Sequence, residues 1–184
     1  MMDPQSKKML MTFLLLVVLG LQIAAISTNH WSKASNVLTY QGVSVDITWG
    51  LWKLCADAPI PKLVEIDMCV DLPHNSELFK KNSLSAVRAL SIAGAVLVFM
   101  GMMCYWWNPL LLSNCKCLLV LLGSLLIIVG AVVWGAELLK IVPPASLAGD
   151  NAAPLKGKPC ASYWLSMSAG ILGLLTSAWC WFER

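Results

Sequence analysis

Charged residues are scarce in this sequence. Asp, Glu, Lys and Arg make up 12% of the 184 residues, against roughly 25% in an average soluble domain. Hydrophobic residues account for 58%, and the mean hydropathy is +0.72. This composition excludes an ordinary soluble domain and indicates a membrane protein.

Clusters of residues that carry chemistry are also missing. The net charge is only +3, and the lysines do not alternate with aromatic residues, so we expect no nucleic-acid partner. His30 and His74 are far apart, without Cys or His at ligand spacing, so we expect no metal and no cofactor. A quinone-linked disulfide oxidoreductase needs a C-x-x-C pair, whereas the closest pair here is Cys115-Lys116-Cys117. We therefore expect a protein that is not an enzyme.

Long apolar runs are what the sequence has instead. The runs are long enough to cross the roughly 30 Å hydrocarbon core of a bilayer, and they cover residues 9–27, 86–105, 118–139 and 163–182. The first run exceeds the apolar region of a signal peptide and lacks a small-x-small cleavage site, so we interpret it as a retained helix. Within the runs the only charged residues are Arg88 and Glu137, both near the outer ends, which argues against a transporter with a central ion site.

The orientation is predicted from the first helix. With four spans, both termini lie on one side, together with four of the 13 Lys and Arg residues; the other nine lie on the opposite side. Long loops weigh less in the positive-inside rule, and the first helix with its flanking Lys7 and Lys8 usually dominates. We predict that both termini are cytoplasmic and that the loops 28–85 and 140–162 are extracellular.

The cysteines divide between the two sides. On this orientation Cys55 and Cys69 lie in an oxidising compartment and can close a bridge, worth about 3 kcal/mol by chain entropy. Cys160 lies in the second external loop. The others are candidates for palmitoylation beside the membrane, or simply small apolar residues near helix ends: Cys104, Cys115, Cys117 and Cys180.

Small residues recur within spans two to four, as in Gly94, Gly123 and Gly173. Such residues let helix backbones approach closely. Two interpretations stay open: tight packing inside one bundle, and lateral self-association between copies.

The long loop has the pattern of a small sheet. Residues 37–49, VLTYQGVSVDITW, mix β-branched and aromatic residues around Gly42, which predicts a hairpin. Pro59, Pro61 and the acidic stretch 65–67 predict a turn between the two cysteines. Asn75 or Ser76 before Glu77 is a helix-start signal.

These residues resemble the first extracellular segment of claudins, and more loosely that of the peripheral myelin and epithelial membrane proteins. The resemblance is carried by Trp31, Gly50, Leu51, Trp52, Cys55, Cys69 and Arg88. It implies a membrane α-helical fold over residues 1–184: a left-handed four-helix transmembrane bundle with a small extracellular antiparallel β-sheet tied by a Cys55–Cys69 disulfide. Arg88 is expected to hold loop carbonyls or a carboxylate in its fork.

The resemblance also implies a function at cell–cell contacts. A claudin-like protein is an adhesion protein of the plasma membrane at tight junctions, where it associates with like proteins in cis and in trans. It forms a paracellular barrier or a pore. In pore-forming claudins, acidic residues near the two cysteines line the path, so Asp57 and Asp71 are the expected pore-lining residues of a cation-preferring pore; the alternative is that they form a solvated face.

Three features depart from the claudin pattern. The 13-residue spacer between Cys55 and Cys69 is longer than usual, and Cys160 is an additional external cysteine. The sequence also stops at Arg184, directly after the fourth span, so we expect no cytoplasmic tail and no PDZ scaffold as a partner. Two other functions therefore stay open: an accessory or trafficking subunit of a channel or receptor, and a tetraspan envelope or coat protein of a virus.

Overall fold

The computed structural model describes residues 3–40, 43–58, 66–72, 83–107, 113–141 and 155–182. Within them lie four helices that are long and apolar enough to cross a membrane. Their bounds are α1 Pro4–Ser27, α2 Ser83–Trp107, α3 Ser113–Val133 and α4 Ala161–Phe182, and α3 continues as a π-helical turn over Trp134–Leu138. The four predicted spans are confirmed as helices, each of which begins before its apolar run.

Antiparallel strands make up the rest of the described chain. They are β1 Ser32–Tyr40, β2 Val43–Trp49, β3 Lys53–Ala58, β4 Ile66–Asp71, β5 Lys140–Ile141, β6 Leu155–Lys156 and β7 Lys158–Pro159. One sheet has the order β4-β3-β2-β1-β7, and β5 pairs separately with β6. The hairpin predicted around Gly42 is confirmed as the antiparallel β1–β2 pair, although Gln41 and Gly42 themselves lie outside the described residues.

The described strands differ from the predicted sheet in two details. Asp67 belongs to strand β4 and not to a turn. The main sheet also includes a strand that was not predicted, because the second loop contributes β7 through the pairs Ser32↔Pro159 and Lys33↔Lys158. A strand of two residues is too short to show the alternation by which strands are recognised. The helix start predicted near Ser76 falls outside the described residues.

The chain divides into two compact units. We call one the helical unit; it comprises Met1–Ile26, Ala89–Ala131 and Leu165–Arg184. We call the other the sheet unit; it comprises Ser27–Arg88 and Val132–Trp164.

The helical unit is a four-helix bundle with one apolar core. Each helix contributes to the same buried cluster, for example through Leu15 of α1, Val98 of α2, Ile127 of α3 and Ala169 of α4. The outward-facing side chains are apolar too, and Phe13 is 61% exposed. An apolar surface of this extent marks a membrane interaction.

Glycines let α2 and α3 pack with their backbones in contact. A Cβ atom at Gly123 would lie 2.7 Å from the carbonyl oxygen of Gly94, and one at Gly94 would lie 2.8 Å from the carbonyl oxygen of Gly123. A Cβ at Gly173 would likewise collide with the Ser124 hydroxyl. Packing within one bundle therefore accounts for these small residues.

Replacing Gly123 by alanine tests this contact. We expect Gly123→Ala to lower the free energy of unfolding by about 1–3 kcal/mol, because the added methyl group overpacks the helix crossing. The matched control is Gly20→Ala in α1, where a Cβ would have no neighbour within 4 Å. Thermal unfolding in detergent measures both, and equal stability of the two variants would contradict the close crossing.

Candidate functional site

Buried tryptophans form the centre of the sheet unit. Among the described residues, Trp31, Trp49 and Trp134 have no exposed surface, and the ring centroids of Trp31 and Trp134 lie 4.9 Å apart. The indole Nε1 of Trp134 donates to the Ser32 hydroxyl at 2.8 Å, and that of Trp49 donates to the Leu138 carbonyl at 2.9 Å. Since a buried indole N–H needs an acceptor, these bonds fix β1 and β2 against the π-helical turn.

The end of the π-helical turn supplies carbonyl acceptors because a helix end leaves carbonyls without intrahelical partners. The Leu138 carbonyl accepts from Trp49, and the Leu139 carbonyl accepts from the Gly157 amide at 2.7 Å. Gly157 also faces the Trp49 ring so closely that a Cβ there would collide with it. The end of this helix is thus capped by the sheet and by the segment leading into β7.

The Gly50-Leu51-Trp52 stretch forms a turn between β2 and β3. The Gly50 amide donates to the Lys53 carbonyl at 2.9 Å, and a Cβ at Gly50 would lie 2.6 Å from the Cα of Asn29. Leu51 is fully buried, whereas Trp52 is only partly buried. Trp49 is the fully buried indole next to this turn, whereas Trp52 lies against a cation.

That cation is Arg88, in the second turn of α2. Its guanidinium donates from Nε to the Leu51 carbonyl at 2.7 Å and from Nη2 to the Leu72 carbonyl at 2.9 Å. Its Cζ lies 4.9 Å from the centroid of the Trp52 ring. Arg88 is 5% exposed, so it does not snorkel toward headgroups. We call this arrangement the Arg88 fork; it joins the chain before β3 and after β4 to the start of α2.

The predicted Cys55–Cys69 disulfide is present. The two cysteines occupy opposed register positions on β3 and β4, with their Cα atoms 4.1 Å apart. The pairing continues past the disulfide to Ala58↔Ile66. The unusually long spacer is thus partly used to lengthen this strand pair.

The strand register also aligns carboxylates that are distant in sequence. Asp46, Asp57 and Asp67 occupy directly opposed positions on β2, β3 and β4. Asp46 is paired with Lys33 at 2.8 Å. Asp71 is exposed, at the position opposite Lys53. We call Asp46, Asp57 and Asp67 the aspartate row. Of the two predicted pore residues, Asp57 belongs to this row and Asp71 does not. The side chains of Asp57 and Asp67 lie outside the described set.

The remaining cysteines correct one prediction. In the helical unit Cys117 and Cys180 form a disulfide, and Cys117 has no exposed surface. A thioester is excluded at both positions while this bond is intact, so palmitoylation stays a prediction for Cys104 and Cys115, which are free thiols. The pairing was missed because 63 residues separate the two cysteines in sequence, and only helix packing brings them together.

Within the described ranges, no three or more His, Cys, Asp or Glu side chains converge on a point that could hold a metal ion. The features of the sheet unit are buried rings, a carbonyl-binding fork and a disulfide-tied strand pair.

No protein-family model matches the chain, and no curated protein matches it either. Four helices of this length and apolarity indicate a multi-pass membrane protein.

The Arg88 fork generates a first prediction for this site. Arg88→Lys should lower the free energy of unfolding by about 2 kcal/mol, because an ammonium cannot reproduce two divergent bonds and the ring contact. Lys158→Gln, at an exposed position of β7, serves as the control. Unchanged thermal stability of Arg88→Lys would show that the fork contributes little.

The free thiol of Cys160 generates a second prediction. Burial raises the pKa of this thiol, and the Lys33 ammonium partly opposes that rise. Lys33→Gln should therefore raise the pKa further and slow the alkylation of Cys160 at a fixed, mildly alkaline pH, because less thiolate is present. The rate is measured across pH in a Cys104→Ser, Cys115→Ser background, and faster alkylation after Lys33→Gln would contradict the assignment.

Proposed function

We propose that this protein is a claudin-like adhesion protein that polymerises at cell–cell contacts and forms a paracellular barrier or a cation-preferring pore. The supporting observation is that most of the motif residues have defined contacts within the sheet unit. Arg88 binds the Leu51 carbonyl and lies against Trp52, Gly50 closes the turn, and the disulfide holds the strands that follow. These contacts give most of the residues that carry the resemblance a structural role in the sheet unit.

The proposal includes an orientation. Both termini are cytoplasmic, the bundle is left-handed, and the sheet is extracellular at the plasma membrane. The Cys55–Cys69 disulfide supports the extracellular side, since disulfides persist in oxidising compartments. The basic Lys7 and Lys8 before α1 support cytoplasmic termini.

Self-association is supported by the edge of the sheet. Among the described strands, β4 lies at one end of the order of the main sheet, and Val70 on it is 63% exposed. An edge strand presents unpaired backbone groups that can pair with another chain. A second copy is the partner we propose for this edge.

Cation preference is supported by the charges of the register. Opposed residues share a face of the sheet, and three neighbouring strands carry aspartate at one level. Carboxylates held on a wall attract cations, although Lys33 and Lys53 reduce the field. Charges more than about 8 Å apart are screened at physiological salt. Only a cation close to Asp71 or to the row of Asp46, Asp57 and Asp67 is therefore attracted.

Expression in cells that lack junction strands tests the adhesion proposal. The protein should concentrate at cell contacts and produce strands in freeze-fracture images. Val70→Lys should abolish the strands but keep surface delivery, because lysine on an edge strand blocks pairing; Val70→Thr is the matched control. Uniform surface or vesicular distribution of the parent would favour an accessory or trafficking subunit, and release in particles would favour a viral coat protein.

Dilution potentials across epithelial layers test the selectivity. Asp71→Asn should move the cation-to-anion permeability ratio toward one, since it removes an exposed carboxylate. Asp71→Glu keeps the charge and should leave the ratio near that of the parent. A ratio unchanged by Asp71→Asn would remove Asp71 from the pore.

A further inference from the structure

A disulfide joins two transmembrane helices at one end of the helical unit. Cys117 lies in the second turn of α3 and Cys180 in the last turn of α4, with their Cα atoms 5.9 Å apart. The chain crosses the bilayer once, as α2, between the Cys55–Cys69 disulfide and Cys117. In a plasma membrane, one of these two disulfides therefore faces the cytosol whichever way the chain is inserted. With cytoplasmic termini it is Cys117–Cys180.

A disulfide that faces the cytosol is uncommon. Glutathione and thioredoxin keep cytosolic thiols reduced, and the disulfides found there are usually transient, catalytic or redox-sensing. The recess beside Cys180 has a volume of about 10 Å³, which is the scale of one water molecule and too small for a substrate. These observations favour a redox-sensing bond over a catalytic one.

The two cysteines of this bond differ in their access to a reductant. Cys117 has no exposed surface, whereas Cys180 is of intermediate exposure and lines the recess. Reduction begins when a thiolate attacks one of the two disulfide sulfurs, and its rate depends on access to that sulfur. Cys180 is therefore the cysteine attacked, and Cys117 is the one released first.

Helices α3 and α4 are in close contact at some distance from the disulfide. A Cβ atom at Gly173 would collide with the Ser124 hydroxyl, so the two helices cross closely here. Ser124 is seven residues from Cys117, and Gly173 is seven residues from Cys180. On each helix this separation is about two turns. The close crossing and the disulfide are thus two separate links between α3 and α4.

Between these two links the helices surround the recess. Leu15 of α1, Gly101 of α2, Val120 of α3 and Thr176 of α4 border it. Residues that border a gap lose packing contacts on that side, so side-chain packing holds α4 less firmly here than at the close crossing. The position of the last two turns of α4 therefore depends on the disulfide.

We propose that Cys117 and Cys180 form a thiol–disulfide exchange site for glutathione, which switches the end of α4 between a tied and a released state. A glutathione thiolate attacks the Cys180 sulfur, forms a mixed disulfide and releases the Cys117 thiolate, which takes a proton. A second glutathione thiolate attacks the glutathione sulfur of the mixed disulfide. This step releases oxidised glutathione and the Cys180 thiolate, which also takes a proton.

Two glutathione molecules thereby supply the two electrons that reduce the bond, and oxidised glutathione closes the bond by the reverse steps. The proposal rests on the proposed orientation and does not rest on a function in adhesion. With the opposite orientation, cytosolic glutathione would meet Cys55–Cys69 instead.

Sealed inside-out plasma-membrane vesicles that contain the full chain test the exchange. The chain is first closed with oxidised glutathione, and an excess of reduced glutathione, which does not cross the bilayer, is then added outside. Alkylation and peptide mapping should find Cys117 and Cys180 newly alkylated, and oxidised glutathione should restore the bond. Cys55–Cys69 lies inside the vesicle, so it is the internal control and should stay closed.

Hydrogen exchange of the purified full chain measures the release of α4. Backbone amides of residues 174–182 should exchange faster after reduction, because local opening is easier where fewer contacts hold a segment. Those of residues 161–170 should be unchanged, since the close crossing remains. Cys117→Ser with Cys180→Ser should show the faster exchange without any reductant. The matched control is Cys104→Ser with Cys115→Ser, which removes two free thiols of the same unit and should behave as the parent.

Three results would overturn the proposal: a Cys117–Cys180 bond that stays closed in excess glutathione, equal opening of both disulfides, or opening that leaves the exchange of residues 174–182 unchanged. Opening of Cys55–Cys69 alone would overturn the proposed orientation as well. A lack of junction strands would count against adhesion only. If the double serine variant fails to fold, the parent in its oxidised and reduced states decides.

Discussion

The sheet unit depends on the need of two buried indole groups for hydrogen-bond acceptors. A buried donor left without a partner costs about 1–3 kcal/mol, and no water reaches the rings of Trp49 and Trp134, which have no exposed surface. The Leu138 carbonyl and the Ser32 hydroxyl meet this need. Both acceptors come from distant parts of the chain, so satisfying the rings brings β1, β2 and the end of α3 together.

The arrangement of charge follows from the register of the strands. A one-residue slip of β4 against β3 would move every side chain of β4 to the other face, which would separate Cys69 from Cys55 and Asp67 from Asp57. The disulfide and the Arg88 fork act at the same end of this strand pair: the disulfide joins the strands two residues in from the Lys53↔Asp71 pair, and the fork holds the Leu72 carbonyl just beyond it. The same bonds that stabilise the sheet therefore set the pattern of carboxylates that the proposed pore requires.

The sequence predicted what local patterns encode and missed what packing creates. The hydropathy of the sequence was sufficient to predict the four helices. The β-branched and aromatic residues around Gly42 were sufficient to predict the first hairpin. The Trp31–Trp134 contact, strand β7 and the Cys117–Cys180 bond all join residues far apart in sequence, and no short pattern marks them. Trp49 and Trp52 stand three residues apart and are equally hydrophobic, so their residue type does not show which ring is buried. The turn at Gly50 separates them, with Trp49 buried and Trp52 beside Arg88.

The two disulfides constrain the orientation together. The alternation of four spans places Cys55–Cys69 on one side of a bilayer and Cys117–Cys180 on the other, and the cytosol keeps accessible thiols reduced. With cytoplasmic termini, the bond exposed to reductant is Cys117–Cys180, and Cys117 has no exposed surface. Reduction proceeds by attack of a thiolate on a disulfide sulfur and so depends on access. Each disulfide has one buried cysteine, Cys117 or Cys55, and one more accessible cysteine, Cys180 of intermediate exposure or Cys69, which is exposed. The proposed orientation therefore leaves the less accessible of the two disulfides facing the cytosol.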